Sequence, residues 1–354
     1  MRSIVALRLG LAAVCWQGAD RTALAEVAGG RLEIVWPTPN TAFIEGRPRA
    51  DFLQATASGD PASGGFGGVR DSGERFHEGI DLKPVARDQK GEPADKIFAV
   101  LPGIVRHVSD RPGESNYGRY IVLEHPGTEP AIYTLYAHLR SIAPGVGPGA
   151  AVARGQFIAV MGRSEGGSGI PKERAHLHFE MGLRVTDDFE RWYGQQKYGS
   201  PNEHGLWNGY NLMGFDPLDF LDRFRAHTVN NFTDYFAQLK PVVRVRVATR
   251  QIPDFTRRYP SLVTSAPDDG GRVAPAVGLP AGWDIACNAT GLPFRWTPLT
   301  AADVLGYAPN EVRIVETDVA ALATEHGKTL VVKRAGHAVP GKDLQMVLQQ
   351  LFGF

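Results

Sequence analysis

His176-Leu177-His178-Phe179-Glu180 opens a run, residues 176–185, that decides how the rest of this chain is read. Residues two apart on a strand project from the same face, so Leu177 and Phe179 turn towards a core while His176 and His178 address one site. Working outward, the neighbouring text is made of short β-rich stretches, residues 97–108, 120–124, 132–137 and 157–160. Turn signals separate them: Leu101-Pro102-Gly103, His125-Pro126-Gly127, Pro144-Gly145 and Gly166-Gly167. Such spacing predicts an antiparallel β-sheet or sandwich.

Composition agrees. The 354 residues include 41 Gly and 25 Pro, more than helical bundles tolerate, which favours an α+β, mainly β protein. The formal net charge of +0 gives no global pull towards nucleic acid or an anionic membrane. No stretch after the first thirty residues approaches the ~20 apolar positions of a membrane span. At the N-terminus, Arg2 and Arg8 precede an apolar run at 9–16, and Ala23-Leu24-Ala25 supplies a small-x-small cleavage pattern. Residues 1–25 read as a secretory signal peptide, which implies an extracytoplasmic location. Cys15 falls inside that segment and leaves Cys287 unpaired, as buried packing.

Three further stretches are distinct. Residues 32–36 read as a strand and residues 59–73 as a glycine-rich loop. Residues 184–216 form a polar insert carrying Trp192, Tyr193, Tyr198, Trp207 and Tyr210, whose role is either packing over the sheet or holding a substrate strand. Asp216-Pro217-Leu218 marks the end of a domain, and the chain starts again after Phe224. Val243, Val245 and Val247 alternate with Arg244 and Arg246 as a half-exposed strand does. A linker at 265–280 follows, and Leu344, Val347, Leu348 and Leu351 predict a closing amphipathic helix. The expected division is a catalytic domain at 28–224, with its core at 66–219, and a small α/β C-terminal domain at 225–354 to which no chemistry is assigned.

Of ten histidines, four fall in three apolar-flanked segments: Phe76-His77-Glu78-Gly79-Ile80-Asp81, Tyr136-Ala137-His138-Leu139 and the opening run. Imidazole and carboxylate are the ligands of hydrolytic zinc, and a His, Asp, His set leaves the fourth position to water. Residues 77 and 81 on a straight strand would stand ~13 Å apart, too far for one metal. Gly79 and Pro84 oppose a continuous helix, so a bend or bulge must bring Asp81 beside His77, and Glu78 loses the claim it would have in an HExxH helix. An HxH strand can donate both imidazoles to one metal, so spacing leaves the roles of His176 and His178 open. The isolated His107, His125, His204, His227, His326 and His337 read as surface or hydrogen-bonded core residues, and Arg70 as a surface salt-bridge partner in preference to a group that positions a substrate carboxylate.

These segments resemble the lysostaphin-like, LytM-type zinc endopeptidases of the duplicated hybrid motif fold, which hydrolyse peptides of bacterial peptidoglycan. The resemblance covers roughly residues 66–219 and includes Phe66-Gly67-Gly68-Val69-Arg70, Leu101-Pro102-Gly103-Ile104-Val105 and Asn116-Tyr117-Gly118-Arg119-Tyr120. It implies His77, Asp81 and His178 as ligands of Zn2+, His138 and His176 as unligated catalytic histidines, and peptidoglycan stem peptides or cross-bridges as substrate. Two features depart from the family pattern: the longer stretch 164–175 before HLHFE, and the 184–216 insert. An endopeptidase acting on proteins and a noncatalytic wall-binding or regulatory module are the alternative readings.

Overall fold

The computed structural model describes residues 30–167, 169–264, 279–324 and 327–354. The expected signal peptide with Cys15, His326 and most of the expected linker lie outside the described residues. In chain order come β1 (Gly67–Arg70), β2 (Arg75–His77), β3 (Ile80–Leu82), β4 (Lys96–Phe98), β5 (Gly103–Ser109) and β6 (Tyr120–Glu124). Then follow β7 (Tyr133–Ala137), β8 (Leu139–Ile142), β9 (Ala151–Val152), β10 (Phe157–Met161) and β11 (Leu177–Arg184). The insert contributes α1 (Phe189–Gln195) and leads into β12 (Leu212–Phe215), α2 (Pro217–Arg225) and α3 (Phe232–Gln238). The last part holds β13 (Val243–Val247), α4 (Asp254–Arg258), β14 (Gly282–Cys287), β15 (Pro293–Leu299) and β16 (Val312–Thr317). It ends with α5 (Val319–Thr324), β17 (Val331–Arg334), β18 (His337–Pro340) and α6 (Lys342–Phe352).

The architecture is α+β and mainly antiparallel β. The principal sheet runs β12-β11-β7-β6-β5-β9, with β3 pairing β11 beside β12. A smaller sheet, β4-β10-β8, and the β1-β2 hairpin complete this part. Strand β11 is buried along its whole length because both faces are covered. Leu177, Phe179, Met181 and Leu183 enter the main core. The opposite face of the sheet rests on a small cluster of Tyr120, Val122, Tyr133, Leu135 and Ala137. Period-two alternation thus assigns His178 and Glu180 to the side away from the main core.

Two short stretches differ from expectation. Residues 32–36 join no sheet: Leu32 N–H donates to Asn230 O (2.8 Å) and Val35 N–H to Val100 O (3.1 Å), so successive hydrogen bonds go to different segments. The stretch is a strap, pinned by Trp36 stacked on Phe43 at 4.7 Å. The glycine-rich stretch 59–73 contains β1, since Gly67 and Arg70 find partners in His77 and Arg75.

Asp216-Pro217-Leu218 begins a helix where a domain end is expected. The Asp216 carboxylate accepts from Leu218 N–H at 2.8 Å and Pro217 takes the first helical position, where no N–H is needed. Beyond it, β15-β14-β13-β16 form an antiparallel sheet, and the alternation of Val243, Val245 and Val247 with arginines puts the valines inward. Helix α6 buries Leu344, Val347, Leu348 and Leu351, and Gly353 ends it at φ 79°, a left-handed conformation suited to glycine. One hydrophobic core runs through residues of both parts, from Leu82 and Phe215 to Ile285 and Leu351. Polar ties cross as well: Arg184 N–H donates to Tyr259 Oη (3.0 Å) and Arg258 to Arg184 O (3.1 Å). Cys287 is buried, and burial pushes its thiol up to about 12. Among the described residues no helix is long and apolar enough to cross a membrane.

Candidate metal centre and catalytic cleft

Sheet register builds the site. Across β11 and β3, His178 stands opposite Asp81; across β11 and β7, the same His178 stands opposite Ala137, the residue before His138. Directly opposed residues of an antiparallel pair share a face, so Asp81 and His178 meet. Strand β2 ends at His77 and β3 starts at Ile80, with Glu78 and Gly79 making the bend between them. Gly79 is required there: a Cβ would lie 2.4 Å from Phe179 O of β11.

The result is a nearly equilateral triangle of donor atoms. His77 Nε2 lies 3.0 Å from His178 Nδ1, and each is 3.1 Å from Asp81 Oδ1. A tetrahedral ion with bonds of about 2.0–2.1 Å spaces its donors by about 3.3 Å, so a small outward shift admits zinc. All three residues are buried, and they form the group of His and Asp side chains able to hold a metal among the described residues.

Each imidazole is oriented by its other nitrogen. His77 Nδ1–H donates to Gly65 O (2.6 Å), which aims Nε2 at the triangle. His178 is reversed: Nε2–H donates to Glu180 Oε1 (2.9 Å), which leaves Nδ1 for the triangle. Glu180, only 1% exposed, also accepts from Tyr117 Oη (2.7 Å) and Tyr133 Oη (3.0 Å), so both its oxygens are engaged. Carboxylate–histidine pairs of this kind fix the tautomer of a metal-binding imidazole and raise its basicity.

His138 and His176 flank the triangle. His138 Nδ1–H donates to Ser164 O (2.8 Å) and His176 Nδ1–H to Arg174 O (2.7 Å), so each presents an unprotonated Nε2 inward. Their ring centroids are 4.8 Å apart, and His176 Nε2 is 3.4 Å from Asp81 Oδ1. His138 sits at φ +61°, a conformation uncommon for a residue with a side chain, and its N–H is held by Tyr117 O at 2.9 Å.

Electrostatics separates these groups. Burial holds His77 and His176 below the ordinary imidazole value, and His138 well below it, with His176 and His178 adding to the effect. Burial also opposes protonation of His178, but hydrogen bonds and charge from Asp81 and Glu180 more than offset it and push the group up to about 9. Burial disfavours the Asp81 carboxylate, yet the facing His176 and His77 imidazoles, with hydrogen bonds from His178 and His77, hold it well below the usual range. Burial first, then the Glu180 charge, raises Tyr117 and Tyr133, which stay protonated donors.

Arg70 is a correction to the surface reading: its side chain is largely buried and its guanidinium bonds Asp81 Oδ2 inside the site. Glu78 lines the cleft and pairs with Lys328 Nζ, 3.3 Å distant in the C-terminal part. His125 is the hydrogen-bonded core residue expected, held by Pro102 O and Thr134 Oγ1 at 2.8 Å each. The sequence reading left Glu180, Tyr117, Tyr133 and Ser164 without roles. The His178-x-Glu180 spacing on one strand face was a usable signal for the first; the others reach the site only through tertiary contacts.

The triangle, His138 and His176 line a cleft of about 1460 Å³, whose far walls include Tyr210 of the insert and Lys328, Met346 and Gln350 of the C-terminal part. A buried two-histidine, one-aspartate centre with free imidazoles in an open cleft is the constellation of a hydrolytic metal site. Residues 75–188 match the model of Peptidase family M23. Similar solved structures include a Ruminococcus gnavus protein assigned as a glycyl-glycine endopeptidase lytM, 26% identical over 30% of this chain and 40% of that one (TM-score 0.25). The catalytic domain of the antimicrobial peptidase lysostaphin from Staphylococcus simulans is 21% identical over 42% and 80% (TM-score 0.26). A zinc containing peptidase from Vibrio cholerae is 24% identical over 45% and 35% (TM-score 0.23). The chain thus spans less than half the length of the first and third. No curated protein matches the sequence.

Proposed function

We propose that this protein is an exported zinc metalloendopeptidase that hydrolyses amide bonds in peptidoglycan stem peptides or cross-bridges. The observation that carries the reading is the donor triangle of His77, Asp81 and His178, with sides of 3.0–3.1 Å, facing two imidazoles that present unprotonated Nε2 atoms. The M23 match over residues 75–188 supports the peptidase reading. When bound by His77, Asp81 and His178, zinc supplies polarisation of the scissile carbonyl and a lowered pKa for the attacking water.

The chain's own groups do the rest. His138 and His176, neutral near pH 7, accept the proton of the attacking water at Nε2 and return a proton to the departing amine. Their Nδ1–H bonds to Ser164 and Arg174 carbonyls stabilise the imidazolium formed in between. Glu180 keeps His178 in the tautomer that leaves Nδ1 free. Arg70 shares the Asp81 carboxylate and holds its orientation. Residues 1–25 direct export, and residues 225–354 form a second unit that walls the cleft.

Purified protein incubated with muropeptides, with and without a chelator and with zinc restored, tests this. Chelator-sensitive release of cleaved peptide that returns with zinc is the expected result. Absence of any such product from wall material overturns the proposal, and cleavage of casein without cleavage of wall replaces it with a general protein endopeptidase.

A further inference from the structure

The 184–216 insert divides in two. Phe189, Trp192 and Tyr193 pack together as a small buried cluster. Tyr198 and Tyr210 pack on its outer side and stay 40% and 49% exposed: Tyr198 lies 5.0 Å from the Tyr193 ring, Tyr210 6.5 Å from the Trp192 ring, and the two tyrosine rings stack with centroids 5.0 Å apart and planes 7° from parallel. Two large stacked, parallel rings left this exposed are an exposure that folding alone does not require. Tyr210 and Tyr193 line the same cleft as His138 and His176.

The support beneath the pair is irregular and cross-linked by side-chain hydrogen bonds. Asn202 Nδ2 donates to Glu190 Oε2 (2.8 Å) and Gly205 O (3.0 Å), and Asn208 Nδ2 donates to Asn202 Oδ1 (3.0 Å). His204 Nδ1 meets Tyr120 Oη at 2.9 Å, and Gln350 Nε2 from α6 holds Tyr210 O at 2.8 Å. Such a platform pays little ordering entropy on binding.

Beside the rings, two buried polar atoms lack partners: Gln350 Oε1, an acceptor, and Trp192 Nε1, a donor. Gln350 and Trp192 are each 5% exposed, and Gln350 lines the cleft. An acetamido N–H offers the donor that Gln350 Oε1 lacks, and the C–H face of a pyranose packs flat on an aromatic ring, with the polar Ser200 and Glu203 also lining the cleft. We propose that Tyr198 and Tyr210, with Gln350, form a subsite for an N-acetylated glycan that leads into the cleft holding His138 and His176. This rests on the peptidoglycan reading, in which the stem peptide is attached to an N-acetylated sugar.

The test is binding of N-acetylglucosamine tetramer to the full chain by titration calorimetry, with a glucose tetramer and an apolar tripeptide as competitors for the same surface. The acetylated tetramer should bind at least about tenfold more tightly than either. Tyr198→Ala and Tyr210→Ala should each weaken it at least about tenfold, while Tyr198→Phe and Tyr210→Phe, which keep the stacked rings, should bind within about threefold of wild type. No binding by the wild type, binding indifferent to both tyrosines, or preference for the tripeptide overturns the subsite. Because the titration needs no turnover, tyrosine-dependent sugar binding by a protein that cleaves no wall peptide leaves the subsite standing and removes the peptidase reading instead.

Discussion

Gly118→Ala tests whether the anchoring of His138 is what makes it useful. Gly118 has φ +62°, and a Cβ there would lie 2.3 Å from Ser164 O and 2.6 Å from Ser164 Oγ. Ordinary contact needs about 3.4 Å or more, so Ser164 must retreat by about 1 Å, and it is the Ser164 carbonyl that holds His138 Nδ1 at 2.8 Å. A bond of that length does not survive such a shift, and a misplacement of about 1 Å in a reacting group lowers turnover about 100-fold. The left-handed backbone adds about 1–2 kcal/mol of destabilisation on its own. Gly91→Ala isolates that second effect, because Gly91 has φ +76° with nothing within 4 Å of its Cβ position. The assay is peptide hydrolysis, zinc content and urea midpoint for both variants. Gly118→Ala should lose about two orders of magnitude in kcat while keeping its zinc, and Gly91→Ala should lose only stability. Retention of kcat within about threefold by a folded Gly118→Ala protein refutes the claim that the Ser164 anchor positions His138.

Zinc analysis of three alanine variants separates ligands from catalytic imidazoles: His178→Ala should lose metal and activity together, whereas His138→Ala and His176→Ala should keep near-stoichiometric zinc and lose most turnover. Severe zinc loss from His176→Ala would make both β11-side histidines ligands. Glu180→Gln should weaken zinc binding about 10–100-fold in a competitive chelator titration while the metal-free protein still melts cooperatively, and unchanged affinity would deny Glu180 its tuning role. His125 gives the pH dependence of stability: burial pushes it down to about 4, so the unfolded chain takes up a proton below about 6.5 that the folded chain refuses. The contribution of His125 to stability should therefore fall by up to about 3 kcal/mol as pH drops from 6.5 towards 4, and parallel urea-midpoint curves for wild type and His125→Asn over that range would exclude it.

The local text carried a good deal of this protein. Alternation in 176–185 and in 243–247 marked strands and their inward faces, the spacing of Leu344, Val347, Leu348 and Leu351 marked α6, and Gly79 announced the bend between His77 and Asp81. These are properties of a residue and its near neighbours, which period and backbone freedom settle. The pairing of His178 with both Asp81 and Ala137 was not among them, because register depends on which strands lie side by side. The same holds for Arg70, whose partner Asp81 turns a surface cation into part of the site, and for Tyr117 and Tyr133, which reach Glu180 across 63 and 47 residues of chain. Residues 32–36 read as a strand because strand pattern is local, but a strand needs a continuous partner, and only the fold shows that none runs beside it among the described residues. Residue types and spacing thus specified the chemistry on offer, and tertiary packing decided which nitrogen of each imidazole delivers it, since tautomer follows the hydrogen-bond partner that the fold brings to the other side of the ring.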